Sequence, residues 1–207
     1  MSITAISCSL SYPVSLTFTA RCDMIISIDP KEICPMNKQE TYDFLTQSGV
    51  KFEITEHQAV YNMAELAQID NPHPECDAKN LFVRDDKRRQ YYLITVKGDK
   101  RVDLKAFRKA QGTCPLTFAS ESELMDIMGL IPGAVTPLGL LNDSELRVIF
   151  YLDKDFFKEP FLIGVHPNDN TATVWLNVND LADIIKKHGN EVIVTEYQTH
   201  EQCTNII

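Results

Sequence analysis

No stretch of the 207 residues runs to the roughly 18 consecutive apolar positions that a membrane-spanning helix needs, so no transmembrane segment is expected. The six cysteines (Cys8, Cys22, Cys34, Cys76, Cys114, Cys203) fall in no CxxC or CxxxC spacing, and the five histidines form no HExxH pair. In a chain this long that pattern speaks against a disulfide framework and a zinc site, and reduced thiols in a cytoplasmic setting are the simplest account. Neither a metal nor a cofactor is expected. GxGxxG and GxxxxGK[ST] are missing, which disfavours dinucleotide and P-loop chemistry. GxSxG is missing too, and no Ser, His and Asp fall in a recognisable nucleophile setting. No internal repeat is detected.

Positive charge is scarce at the start. Residues 1–22 hold Arg21 as their only base, and no acid comes before Asp23. A secretory signal needs positive charge ahead of its apolar region, and an organellar presequence needs several arginines. Alternation around Ile3, Ala5, Leu16 and Phe18 would suit a strand, while Met36 opens a much better helical pattern. Residues 1–35 are therefore expected to stand outside the catalytic domain, 36–197 to form it, and 198–207 to be a loose tail.

What is present is a core-forming chain with 44% apolar residues. Asn37 with Glu40, and Ser120 with Glu123, are capping-box starts for helices running to Gly49 and Met128. A further helix is expected over Asp103–Gln111, and Val178–His188 reads as a closing helix ended by Gly189. Strands are expected at Val50–Thr55, from Lys79, at Gln90–Val96, Leu116–Ala119, Leu146–Leu152, Phe161–Val165, Thr171–Trp175 and Val192–Thr195. A short helix from about Asn62 and a rigid turn at Pro72–Pro74 complete the pattern. Hairpins interleaved with short helices, without repeated strand–helix–strand units, point to an α/β chain of the α+β type. Its sheet should be mixed and mainly antiparallel, with helices packed on it.

Three stretches hold the candidate chemistry. Lys79 heads a strand whose Leu81 and Val83 read as core, so its ammonium either snorkels to solvent or points into a cleft. The segment 129–139, GLIPGAVTPLG, has three Gly and two Pro and cannot be regular helix. His166-Pro167-Asn168-Asp169-Asn170 is denser in turn-forming side chains than a chain reversal requires. His57 reads either as a ligand or as a histidine merely hydrogen-bonded between strand and loop. Although the net charge is −9, residues 79–109 hold 11 of the 20 basic residues and sum to +7. Such a face suits a polyanion docking in one orientation, or is a solvated hairpin tip and helix surface.

KNLFVRD, GAVTPLG and GVHPNDNTAT, in that order, resemble the YbaK/EbsC-type aminoacyl-tRNA deacylases, most closely the free-standing prolyl-tRNA editing proteins of the ProX/PrdX type. The resemblance spans about Asn37 to Tyr197. It implies a barrel-like sheet and hydrolysis of mischarged tRNA-Pro, with alanine the first candidate for removal and cysteine the alternative. A non-catalytic binder of the tRNA end, accessory to a synthetase complex, is the rival from another class. Lys79, Gly133 and His166 match the catalytic positions; Asn80, Pro137, Asn168 and Asp169 are the implied substrate-binding positions. No strong nucleophile is needed for an activated ester, and the resemblance implies that the tRNA's terminal ribose hydroxyl helps to activate water. Lys87, Arg88, Arg89, Lys105, Arg108 and Lys109 are the expected contacts to the acceptor stem. Prolyl-tRNA synthetase is the implied protein partner, with neither DNA nor a membrane expected.

Overall fold

A computed structural model describes residues 35–59 and 71–197. The expected helix from Asn62, the segment 1–34 and the tail 198–207 lie outside the described residues. Helix α1 (Lys38–Gln47) starts on a complete capping box, in which Asn37 accepts from the Glu40 N–H and Glu40 accepts from that of Asn37. Helix α2 (Leu104–Gln111) is capped by Asp103 and ends at Gly112 in the left-handed conformation. Helix α3 (Glu121–Met128) has the second capping box, Ser120 with Glu123, and α4 (Val178–His188) is capped by Asn177. Each such cap satisfies N–H groups that the first turn leaves open, a contribution of about 1 kcal/mol.

The strands are β1 (Phe52–Glu56), β2 (Ala78–Asp85), β3 (Tyr91–Lys97), β4 (Leu116–Phe118), β5 (Val148–Asp153), β6 (Leu162–Val165), β7 (Ala172–Asn177) and β8 (Val192–Thr195). They form a three-stranded sheet, β1-β7-β6, and a five-stranded sheet, β4-β2-β3-β5-β8. The smaller sheet and the β4-β2-β3 half of the larger are antiparallel, whereas β3-β5 and β5-β8 are parallel. The mixed, mainly antiparallel α/β architecture is thus as expected. Among the described residues the two sheets meet at one isolated bridge, Asp77 to Gly164.

Strand β2 divides the interior. Successive side chains point to opposite faces. Ala78 and Phe82 belong to the main core with Ile163, Val165, Val174 and Leu176 of the smaller sheet. Leu81 and Val83 belong to a second cluster, with Ile94, Val96 and Phe107 of α2. Asn80 therefore faces the smaller sheet, and Lys79 faces the α2 side.

One fully buried cation braces the end of β3. Lys100 is 1% exposed, and its Nζ lies 2.8 Å from Asp153 and 2.5 Å from Asp155. Hydrogen bonds from Lys100 and Lys158 hold the Asp155 carboxyl down at about 2. Because that value lies below the unfolded one, the stability it adds is full at neutral pH and is lost as pH falls toward about 2. Removing one partner from a buried pair leaves an uncompensated charge. Asp153→Asn should cost about 3 kcal/mol in urea unfolding at pH 7. A loss under about 1 kcal/mol would mean that the network is already solvated.

Candidate active site

Period-two alternation places one set of side chains on a single face of the smaller sheet. Gly164 and His166 follow along β6, Thr173 and Trp175 along β7, and Thr55 and His57 along β1. Thr55 accepts from the Trp175 indole at 2.9 Å, and a Cβ at Gly164 would come within 2.3 Å of the Trp175 ring. Glycine is required there by that close approach. His57 lies diagonal to Thr173, with its Nε2 3.0 Å from the Thr173 hydroxyl.

The three motifs meet through side-chain hydrogen bonds. Asn80 Nδ2 donates to the carbonyl of Val135 at 2.9 Å, while Asn80 Oδ1 accepts from Thr95 at 2.6 Å. The hydroxyl of Thr136, a fully buried residue, donates to the carbonyl of His166 at 2.7 Å. Asn80 thus fixes the 133–137 loop, and that loop fixes the start of the 166–170 turn. Beneath them lies a cavity of about 20 Å³ lined by Asp77, Ala78, Asn80, Gly164, Val165, His166 and Thr173. That volume admits one water molecule or one ammonium head. A larger cleft of about 360 Å³ lies between α1 and α4, around Phe44, Val50, Leu141 and Ile184. Size alone would select it, but no motif residue lines it.

His166 Nδ1 lies 2.9 Å from the carbonyl of Ala172. A carbonyl only accepts, so the proton of the neutral ring sits on Nδ1 and the lone pair on Nε2. Burial, then the neighbouring His57, lowers its pKa below the ordinary 6.5, against a raising contribution from the Ala172 bond. The rings of His57 and His166 are 6.1 Å apart and steeply inclined.

The remaining sequence candidates fall into separate places. Lys79 is not in the cavity wall. Its Nζ donates to the carbonyls of Gly98 and Lys100, at 2.9 and 2.8 Å, over a turn closed by the Lys100 N–H on Lys97. Burial first, and then the charge of Arg101, lower its pKa. Gly133 (φ 89°) follows Pro132 in a turn closed by Ala134 N–H to Ile131 O, as a type II turn demands. Pro137 is buried at the start of a 3-10 turn, Pro137–Asn142. Asn168, in the left-handed region, donates to the carbonyl of Met36, and Asp169 accepts from the Thr171 N–H and hydroxyl.

The basic stretch is less available than its composition suggests. Lys100 is buried and paired, and Arg84 lies 3.0 Å from Glu123. Lys87, Arg88, Arg89, Lys105, Arg108 and Lys109 are exposed, with Arg88 3.7 Å from Glu123 and Arg89 3.6 Å from Asp85. The hairpin tip lies about 25 Å from Lys79, roughly the length of β2. One grouping among the described residues, Asp85, Asp86 and Cys114, has the spacing of a metal site. Asp85 there already accepts from Arg89 and Gln90.

Residues 57–184 match the family model of the aminoacyl-tRNA editing domain. Over 153 residues the chain is 39% identical to the prolyl-tRNA editing protein ProX of Acetoanaerobium sticklandii, covering 74% of this chain and 93% of that one. It is 29% identical over 156 residues to the prolyl-tRNA synthetase associated domain-containing protein 1 of Bos taurus, covering 74% and 91%. A crystal structure of a proposed trans-editing enzyme for prolyl-tRNA synthetase shares the fold, with TM-score 0.61, 22% identity, and 78% and 96% coverage. The chain belongs to the aminoacyl-tRNA editing domain family. It is a hydrolase of the aminoacyl-tRNA ester bond. Among the described residues no helix is long and apolar enough to cross a membrane.

Sequence reasoning missed Thr136, Thr173 and Asp77, and left His57 undecided. The alternation of TATVW could have paired Thr173 with Trp175 on one face, but only the β1–β7 register brings His57 to it. The tautomer of His166 is directly testable. Nitrogen-detected NMR should show Nδ1 protonated in the neutral ring and a titration midpoint below 6.5. An Nε2–H tautomer, or a midpoint above that value, would contradict the geometry described.

Proposed function

We propose that this chain clears mischarged tRNA-Pro in trans, with alanyl-tRNA-Pro its main substrate. The observation that carries the reading is the joining of the three motifs, through Asn80 to Val135 and Thr136 to His166, beside a cavity lined by Asn80 of the first and Gly164, Val165, His166 and Thr173 of the third. The relative named as a prolyl-tRNA editing protein supports the choice of tRNA. Residues 36–197 are the proposed catalytic domain, with residues 1–35 outside it.

An aminoacyl ester is already activated, so positioning and charge stabilisation are the main requirements. Water attacks the ester carbonyl carbon, the bond to the ribose oxygen breaks, and the proton lost by water passes to that oxygen. The proposed role of Lys79 is to hold the terminal phosphate. Two of its three N–H bonds go to the Gly98 and Lys100 carbonyls, which aims the third. The ester would then reach across the start of β2 to the Asn80 side. Gly133 contributes backbone that a substrate can approach closely. Exposed Lys105, Arg108 and Lys109 would add attraction for the acceptor stem, and the protein partner in this reading is prolyl-tRNA synthetase.

A hydrolytic pocket discriminates where a synthetase cannot, since one methylene is worth only about 1–3 kcal/mol. Deacylation of Ala-tRNA-Pro, Cys-tRNA-Pro and Pro-tRNA-Pro by the full chain tests the reading side by side. Ala-tRNA-Pro should be cleared fastest, and Pro-tRNA-Pro should be spared by on the order of 100-fold. Lys79→Ala should remove most activity, on the order of 100-fold, with the circular dichroism spectrum retained. Faster clearance of Cys-tRNA-Pro would reassign the substrate. A folded Lys79→Ala variant with normal turnover would remove the phosphate role.

A further inference from the structure

Three of the side chains around the small cavity, His166, Thr173 and Asp77, have acceptors left to offer, while Asn80 keeps one amide N–H beside them. His166, protonated on Nδ1, presents the lone pair of Nε2. In its neutral form His57 must likewise hold its proton on Nδ1, which lies 2.8 Å from the carbonyl of Gln58. Its Nε2 therefore accepts from Thr173, and the Thr173 hydroxyl is committed as a donor in that direction. Thr173, 6% exposed, keeps its oxygen lone pairs for the cavity it lines. Asp77 is the one acidic residue among those lining the cavity. Its two oxygens accept from Asn71 at 2.8 and 2.9 Å, and among the described residues no Lys, Arg or His stands within ion-pair distance of it. Burial pushes its pKa up, the behaviour of an anion that lacks a counter-charge.

We infer that this cavity is the subsite for the α-ammonium group of the aminoacyl ester, bound by Asp77, Thr173 and His166, with His57 a positioning residue acting through Thr173. The inference rests on the deacylase reading above. A cavity of about 20 Å³ takes a head of one heavy atom and excludes a larger group. The partly desolvated carboxylate gains its counter-ion when the ammonium enters, and the two lone pairs receive its N–H bonds. Neutrality of the histidines matters to the arrangement. A protonated His57 would donate to Thr173 and turn that hydroxyl's proton toward the cavity, against the ammonium. The charged and titratable groups facing this pair are His166 and Asp169 from the β6–β7 turn and Glu56 with Lys38 at the end of β1, the last two paired at 2.6 Å. Asp77 faces it from the head of β2.

The test compares two substrates that differ at one group. Alanyl-tRNA-Pro and lactyl-tRNA-Pro carry the same tRNA and methyl group, with a hydroxyl replacing the ammonium in the second. The full chain is assayed in single turnover, each rate being divided by the uncatalysed hydrolysis of the same ester. The wild type should favour the alanyl ester by on the order of 100-fold. Thr173→Val, Asp77→Asn and His57→Ala should each collapse that ratio to within about tenfold, whereas Thr173→Ser should retain it. Equal handling of the two esters by the wild type overturns the subsite while leaving the deacylase reading intact. So does a fall of both rates by the same factor in the variants, since the cavity would then hold the attacking water. Hydrolysis of neither ester overturns the deacylase reading, and the subsite with it.

Discussion

The side-chain amide of Asn80 is the tie on which the site depends. It sits third in β2, where strand propensity disfavours asparagine, and it holds an N–H donor pair and an acceptor in a fixed plane. The acceptor takes the Thr95 hydroxyl across the β2–β3 ladder, and the donor takes the Val135 carbonyl. Neither Asp nor Leu could serve both partners. Thr136 carries the constraint onward to the His166 carbonyl, from a position with no exposed surface. Hydrogen bonds in so dry a setting are strong when complete and costly when broken. A loop rich in glycine and proline is thereby tied to β2 on one side and to the 166–170 turn on the other.

The same pleat that points Asn80 toward the smaller sheet points Lys79 away from it. Strand β2 is thus a wall with a cation on one side and the cavity on the other. The cation's turn is braced from below, because Lys100, which offers its carbonyl to Lys79, has its ammonium held by Asp153 and Asp155. Stability and placement are linked in this arrangement: the buried ion pair fixes the turn, and the turn fixes the ammonium. A terminal nucleotide spanning the start of β2 would touch both sides, which fits a substrate with a phosphate at one end and an ester at the other.

Local signals were legible in the sequence and distant pairings were not. Both capping boxes and the ends of α2 and α4 are written in a few adjacent residues, and they stand where expected. Most strands begin or end within two residues of the reading, as local alternation allows. The parallel β3-β5-β8 pairing depends on contacts far apart in the chain and has no local signature. Charge counting overstated the basic face, because the sequence cannot reveal that Lys100 is buried between two aspartates or that Arg84 is held by Glu123. Two residues that the motifs singled out, His166 and Asn80, line one cavity. They were silent on Thr136 and Thr173, whose hydroxyls make the joins, because a threonine in a strand or loop looks the same whether or not it bridges.

The central claim is that Asn80 and Thr136 act on the ester through one connected frame. A double-mutant cycle on single-turnover deacylation tests it directly, using Asn80→Ala, Thr136→Val and the pair. Connected residues should be non-additive, with the double variant little slower than the worse single one and a coupling of about 1 kcal/mol or more. Independent effects, in which the two losses multiply, would contradict the account.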